Sequence, residues 1–236
     1  MASVEVYLRS IMPPKPSHLY EFPDPRAANE DGLLAIGGDL EPARVFSAHC
    51  QGIFPWFSDA QPILWWSPPV RAVIPCHNVH ISRSLKRFVR QNDVRLSFDQ
   101  AFARVMGYCR EVHGESWIDE KMVFSYSELH RQGRAHSIEV WQDDTLIGGL
   151  YGVALNRIFC GESMFSLHQN ASKIALVSLC LTLSQNHIDY LDCQFLTEHL
   201  ASMGAINISR EDYLSLLTGD PDRLRGSWQD KTIIPI

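Results

Sequence analysis

No apolar run in the 236-residue sequence is long enough to cross a membrane as a helix, which takes about 20 consecutive apolar residues. The first thirty residues also lack the unbroken apolar core of a secretory leader, because five prolines between Pro13 and Pro25 interrupt them. No membrane association is expected. Cysteine is sparse and unpatterned: six residues (50, 76, 109, 160, 180 and 193) without a C-x-x-C pair. This excludes a disulfide scaffold and a zinc ribbon, and is expected for reduced, mostly buried thiols in a cytoplasmic protein. His77-x-x-His80 has no companion ligands nearby in sequence, so no metal site is expected. Internal repeats and low-complexity tracts are absent. Positive charge is not in excess either: 21 Lys and Arg face 27 Asp and Glu, a net charge of −6. Such a chain is not a general polycation.

What is present is ordinary for a globular protein, 45% hydrophobic and 20% charged, with length for one large domain or two small ones. The most organised stretch runs from Ser137 to Gln194. The alternating runs SIEVW and TLIGGLYGV flank Asp143-Asp144, which predicts a β-hairpin. RIFC adds a third strand. Asn170 or Ser172 can cap a helix whose residues from Ile174 to Leu183 are apolar almost all round, hence buried. His187 to Gln194 reads as a further buried strand. Strands, a buried helix and another strand make the core of an acyltransferase-like α+β domain. Three polar groups sit in this frame. Glu162 falls at a strand end, and Asp192 and Gln194 lie two apart, where period two puts both on one face. Spacing alone leaves a structural hydrogen-bond network and a functional site equally open.

Ahead of this core, Gly37-Gly38 predicts a turn, and Pro42 opens a helix that ends near Gly52. Phe54, Trp56, Phe57, Trp65 and Trp66 follow in close order. Most such aromatics are core, although one left at a cleft edge would make a stacking platform for a base. Pro68-Pro69 marks the expected boundary between a small N-terminal domain, 1–69, and the remainder, 70–236. In HISRSLKRFVRQN, Arg83, Lys86, Arg87 and Arg90 fall on one helical face, opposite Ile81, Leu85, Phe88 and Val89. The window from Arg83 to Arg95 carries +4 on a chain of −6. A basic stripe on an acidic protein suits a polyanion; a solvated helix face is the alternative. Further on, a strand is expected at 94–97, a helix at 99–112 capped by Asp99, and another at 119–132 stopped by Gly133. After the core come a helix at 195–203, an edge strand at 206–208 and a short helix capped by Ser209 with Asp212.

The motifs GLLAIGGDL, GIFPWF, LWWSP, HISRSLKRF, SIEVW, GGLYGV, FCGESMFS, NASK and DCQ cover nearly the whole chain, from Gly32 to SMGA at Gly204. In them the sequence resembles the leucyl/phenylalanyl-tRNA–protein transferases. Leu150 and Met203 depart from residues expected in relatives, and both departures keep volume and apolarity. The resemblance implies transfer of leucine, phenylalanine or, less well, methionine from aminoacyl-tRNA to the N-terminal Arg or Lys of an acceptor protein, marking it for degradation. It implies a C-terminal domain with the fold of the GNAT N-acetyltransferases, a monomer, and no cofactor. A coenzyme A enzyme of that fold needs a glycine-rich loop before its helix. Here the junction reads SLHQNASK, without glycine.

By the same resemblance, Asp192 and Gln194 match a pair that receives the amine's proton, and Glu162 an active-site glutamate that orients the substrates. A neutral amide is a poor base, so a purely positional role for the pair stays open beside a relay. The donor pocket walls implied are Leu150, Phe159, Met164, Leu176, Leu183 and Leu191; without the resemblance they are simply core. Trp56 and Trp117 match residues that hold the terminal adenosine. Arg83, Lys86, Arg87 and Arg90 match a tRNA-binding face, a contact to phosphates without sequence information. A coenzyme A-dependent N-acetyltransferase and an RNA-binding protein without catalysis are the rival readings. The missing phosphate loop opposes the first, and the three intact polar groups oppose the second.

Overall fold

The fold is taken from a computed structural model that describes residues 20–58, 61–112, 118–226 and 228–236. It is mixed α+β. A small N-terminal sheet has the order β1 (Leu33–Ile36), β3 (Leu64–Trp66), β2 (Phe54–Pro55), with helix α1 (Pro42–Cys50) between β1 and β2. Pro42 opens α1 because its fixed φ suits the first helical turn.

The large sheet has seven strands in the order β10 (Ile206–Ser209), β4 (Val70–Pro75), β9 (Tyr190–Gln194), β8 (Ile158–Ser166), β7 (Thr145–Leu155), β6 (Ala135–Gln142), β5 (Arg95–Phe98). All neighbours are antiparallel except β8 and β9, which run parallel through the crossover helix α5 (Ala171–Gln185). The expected meander is β6–β7–β8, turning at Asp143, whose φ of 51° is the left-handed conformation a tight hairpin needs. The expected edge strand is β10.

Helix α2 spans Arg83–Gln91, with the Ser82 side chain accepting from the Leu85 N–H. Helices α3 (Phe102–Val112) and α4 (Glu120–Arg131) pack on β6 to β8, while α5 packs on the same strands and on β9. Two short helices, α6 (Glu198–Ser202) and α7 (Arg210–Leu216), follow β9 and β10. Alternation along β7 divides the core. Tyr151, Val153 and Leu155 join the cluster with α3 and α4, and Leu150 and Ala154 the one with α5. The first cluster runs without a break from Leu34, Val45 and Trp65 to Val105, Tyr126 and Tyr151, so the N-terminal part shares its core with the large sheet.

Two capping expectations fail for identifiable reasons. Asp99 does not cap α3. It has φ 57° and its carboxylate accepts the Ser137 and Trp228 main-chain N–H groups and meets His136 Nδ1 at 2.8 Å. Asn170 stands at the N-cap of α5 in a left-handed conformation without a side-chain cap bond; Ser166 Oγ accepts from the Ser172 N–H instead. Glu139, within SIEVW, is fully buried and held by the hydroxyls of Ser97 and Ser137. Among the described residues, no helix is long and apolar enough to cross a membrane.

Candidate active site

The ladder between β8 and β9 is short, joining Ile158, Phe159 and Cys160 to Tyr190, Leu191 and Asp192. Beyond it, a cavity of about 120 Å³ lies between residues 161–164 of β8 and 191–194 of β9. Leu150, Leu176 and Leu200 complete its apolar wall. Its size is of the order of the ~150 Å³ apolar cavity that accepts benzene. A second cavity, of about 90 Å³, is lined by Phe54, Pro55, Trp56, Glu162, Gln194 and Phe195. Glu162 and Gln194 belong to both linings, so the two spaces meet at these residues.

Both strands are bulged there. Tyr151 pairs with Ser163 and Gly152 with Gly161, which leaves Glu162 as the extra residue of β8. It therefore lies inside the strand, not at its end as the sequence suggested. Gly152 is required: a Cβ there would stand 2.0 Å from the Cys160 carbonyl oxygen. On β9, Asp192 pairs with Val73 and Gln194 with Ala72, so Cys193 is the extra residue. Val73 and Ala72 point to opposite faces, and the expectation that Asp192 and Gln194 share a face is not met.

Asp192 is wholly buried and fully engaged. Oδ1 accepts Arg71 Nε at 2.9 Å and the Gln194 main-chain N–H at 2.9 Å; Oδ2 accepts Arg71 Nη2 at 2.7 Å and the Tyr213 hydroxyl at 2.8 Å. Burial pushes this carboxyl up, but the Arg71 charge and the hydrogen bonds outweigh it and hold it below the usual carboxylate range. Gln194 has φ 58°, a conformation that costs a non-glycine residue about 1–2 kcal/mol. Its amide Nε2 donates to the Gly161 carbonyl at 3.0 Å, which leaves the amide oxygen to accept. Asp192 thus meets the backbone of Gln194 through this bond, not the amide that a relay would polarise.

Glu162 is arranged differently. The Tyr126 hydroxyl on α4 donates to Oε2 at 2.6 Å, and His49 Nε2 on α1 lies 3.1 Å from that hydroxyl. Among the described residues Oε1 is buried without a hydrogen-bond partner; His49 Nε2 stands 3.6 Å away, beyond bonding distance. Burial pushes the Glu162 carboxyl up to about 8 against the Tyr126 hydrogen bond, with the Asp192 charge adding to the rise and the Arg71 charge opposing it. Burial together with the Arg71 charge lowers His49 to about 3, so its ring is neutral.

Of the six donor-pocket residues expected, Leu150, Met164, Leu176 and Leu191 line the larger cavity. Phe159 and Leu183 are not among its lining residues; both are buried in the core cluster around α5, and Cys193 and Leu200 contribute to the wall instead. Trp56, 47% exposed, lines the smaller cavity with its ring centroid 5.4 Å from that of Phe195. Trp117 lies outside the described residues. Arg83, Lys86, Arg87 and Arg90 are all exposed on α2, while Leu85 is buried, as the amphipathic pattern predicts. The residues that sequence reasoning missed are Arg71, Tyr213, Tyr126 and His49. Only Arg71 left a signal, as a charge inside the otherwise apolar run VRAVIP.

Asp99, His130 and His136 bring donor atoms within 4.8 Å of one another, a grouping the sequence did not suggest. These atoms already serve internal bonds. His136 Nδ1 meets Asp99, His130 Nδ1 meets the Ala135 carbonyl at 2.9 Å, and Asp99 also takes the Trp228 N–H. The cluster ties the C-terminal segment to β6.

Two family models match the chain: that described as leucyl/phenylalanyl-tRNA protein transferase over residues 73–218, and that for the N-terminal domain of the same enzymes over 38–69. The leucyl/phenylalanyl-tRNA–protein transferase of Psychromonas ingrahamii is 51% identical over 201 residues, covering 83% of this chain and 84% of its own. Its namesake in Klebsiella pneumoniae is 50% identical over 204 residues, covering 85% and 87%. That of Cellvibrio japonicus is 50% identical over 202 residues, covering 84% and 86%. A buried glutamate and a backbone-strained glutamine at the junction of an apolar and an aromatic cavity are thus set in a chain that belongs to the leucyl/phenylalanyl-tRNA–protein transferase family.

Proposed function

We propose that the enzyme takes leucine, phenylalanine and, less well, methionine from aminoacyl-tRNA and joins each to the N-terminal Arg or Lys of acceptor proteins. The product carries a new N-terminal residue that marks it for degradation. The chain acts as a monomer in the cytoplasm, as a small domain of 1–69 and a GNAT-like catalytic domain of 70–236. The observation that carries the reading is the pair of cavities sharing Glu162 and Gln194. The apolar one takes the donor side chain. The aromatic one takes the terminal adenosine against Trp56, with Trp117 as its counterpart. The ester then falls between them, beside the two shared polar groups.

The donor is an activated ester, so aminolysis is downhill without metal or energy cofactor. An α-amine has a pKa near 8, so about a tenth is neutral at pH 7. Positioning then supplies several kcal/mol of the barrier. Gln194 accepts a hydrogen bond from the amine through its amide oxygen, the orientation being set by the bond from Nε2 to Gly161. Asp192 holds the backbone of Gln194. Discrimination among Leu, Phe and Met is loose, because one methylene in an apolar pocket is worth only about 1–3 kcal/mol. The basic face of α2 lies along tRNA phosphates.

The test is transfer of label to an Arg-terminated peptide from leucyl-tRNA and, separately, from acetyl-coenzyme A. Transfer from leucyl-tRNA alone is expected. Transfer from acetyl-coenzyme A would overturn the reading, and so would equal use of a peptide that begins with Ala.

A further inference from the structure

We propose that the groove between α4 and residues 38–41 is a docking surface for the acceptor protein. It holds the stretch a few residues beyond the acceptor's N-terminus and favours a basic residue beside an apolar one. The proposal rests on the acceptor reading above and deepens it.

The groove, of about 430 Å³, is larger than either cavity at the active site. Leu40, Ile63 and Phe124 form its apolar part, and Asp39, Glu41 and Glu120 its acidic part. Its two walls are joined by Ser125 Oγ on α4, which donates to the Leu40 carbonyl. Phe124 stands on the same helix with 63% of its surface exposed. An aromatic ring left open in a recess rimmed by polar groups marks a surface that another molecule covers.

Charge selects the occupant. The lining carries three carboxylates against one ammonium, that of Lys121. Asp39 is met by Arg44, whose Nε donates to Oδ1 at 2.9 Å. Glu41 and Glu120 are exposed and have no ion pair among the described residues. Both also stand at helix N-termini, where a carboxylate is favourable in itself, so their charge acts together with the open Phe124 and not alone. A tRNA is a polyanion, and this lining repels it. The other substrate in the family's reaction is a protein. The two substrates meet different surfaces: Leu85, the anchor of basic helix α2, lies in the core cluster with α5, and Leu40 in the cluster on the other side of the sheet.

Three elements join the groove to the active site. Helix α1 begins just after Glu41 and carries His49 near its other end, and the residues from Pro42 to His49 rise about 10 Å. Helix α4 carries Phe124 in the groove and Tyr126 against Glu162. Between β2 and β3, the Trp56 N–H donates to the Leu64 carbonyl at 3.0 Å, which places Trp56 of the smaller cavity close to Ile63 of the groove. An extended chain advances about 3.3 Å per residue. A peptide whose first residue lies at Glu162 and Gln194 therefore brings its third to fifth residues to the groove.

The experiment is steady-state transfer from leucyl-tRNA at low ionic strength to three Arg-terminated acceptors. One is a dipeptide amide. The others are longer peptides that differ only in carrying Lys or Glu at the third to fifth positions. In wild type the KM of the Lys peptide should be about three- to tenfold below that of the Glu peptide, the effect of a few exposed charge pairs. Glu41→Gln with Glu120→Gln should erase that preference, and Phe124→Ala should raise the KM of both longer peptides. The dipeptide KM, the leucyl-tRNA KM and kcat should hold in every variant. Equal KM for the two longer peptides in wild type would overturn the proposal. So would a loss in the variants that the dipeptide shares, which would report a disturbed active site, or a weakened leucyl-tRNA KM, which would give the groove to the tRNA. A wild-type enzyme that uses none of the three acceptors would overturn the acceptor reading itself, and the docking surface with it.

Discussion

Arg71 and Asp192 meet in a two-point contact beside the cavities, Nε to Oδ1 at 2.9 Å and Nη2 to Oδ2 at 2.7 Å, and both side chains are almost completely buried. The planar guanidinium matches the carboxylate fork, which is what lets Arg fill such a position. The pair joins β4 to β9, and the Tyr213 hydroxyl ties α7 to the same carboxylate. Asp192 in turn fixes the backbone of Gln194.

Asp192→Asn leaves the Arg71 charge buried without its partner and should cost about 3–5 kcal/mol of stability. Urea unfolding at pH 7 measures it. Replacing both members with apolar residues, Arg71→Met with Asp192→Leu, should recover most of that stability, since it removes both desolvation costs. The rate should stay low in the double variant, because the Gln194 N–H has lost its acceptor. A double variant with near wild-type activity would mean that the pair does not position Gln194.

The donor pocket separates lining residues from core. Leu176→Trp should overfill the cavity and reject phenylalanine in transfer assays while the protein stays folded. Leu183 does not line the cavity, so Leu183→Ala should cost about 2–5 kcal/mol of stability and leave the ratio of Leu to Phe transfer unchanged. Leu200→Ala, at the cavity wall, should change that ratio. Ratios measured with mixed leucyl- and phenylalanyl-tRNA decide the assignment.

Replacing Arg83 and Arg87 with Glu reverses charge on an exposed helix face, where folding has little at stake. Aminoacyl-tRNA binding should weaken, and its dependence on salt should flatten. Transfer from a short aminoacyl-adenosine donor should change far less. Equal loss with both donors would remove the tRNA role from this face.

Glu162 also carries a stability signature of known sign. Its folded pKa of about 8 lies above the ordinary 4.5, so the native state keeps a proton that the unfolded chain releases. The contribution to stability is therefore fully present below the ordinary pKa and is lost as pH rises toward 8. Glu162→Gln does not titrate. Relative to wild type it should gain stability steadily from pH 5 to pH 8.5, by urea midpoints. A constant difference across that range would contradict burial as the cause of the shift.

The sequence by itself determined the order and type of most elements, because their signals are local. The hairpin at Asp143, the left-handed stop at Gly133 and the Ser209–Asp212 cap each depend on residues a few positions apart. The basic face of α2 was legible for the same reason. Tertiary structure decided the site. Period two holds along a strand only while the ladder is unbroken, and the bulges at Glu162 and Cys193 arise from register with β7 and β4, partners far away in sequence. These bulges moved Glu162 into a strand interior and parted Asp192 from Gln194. Asp99 looked like a helix cap from its neighbours alone, yet its carboxylate is claimed by His136, Ser137 and Trp228. Arg71 and Tyr213 reach Asp192 across 121 and 21 residues of chain, and Tyr126 reaches Glu162 across 36. A buried charge takes its partners from whatever the folded core brings beside it, and no periodicity within one segment encodes that neighbourhood.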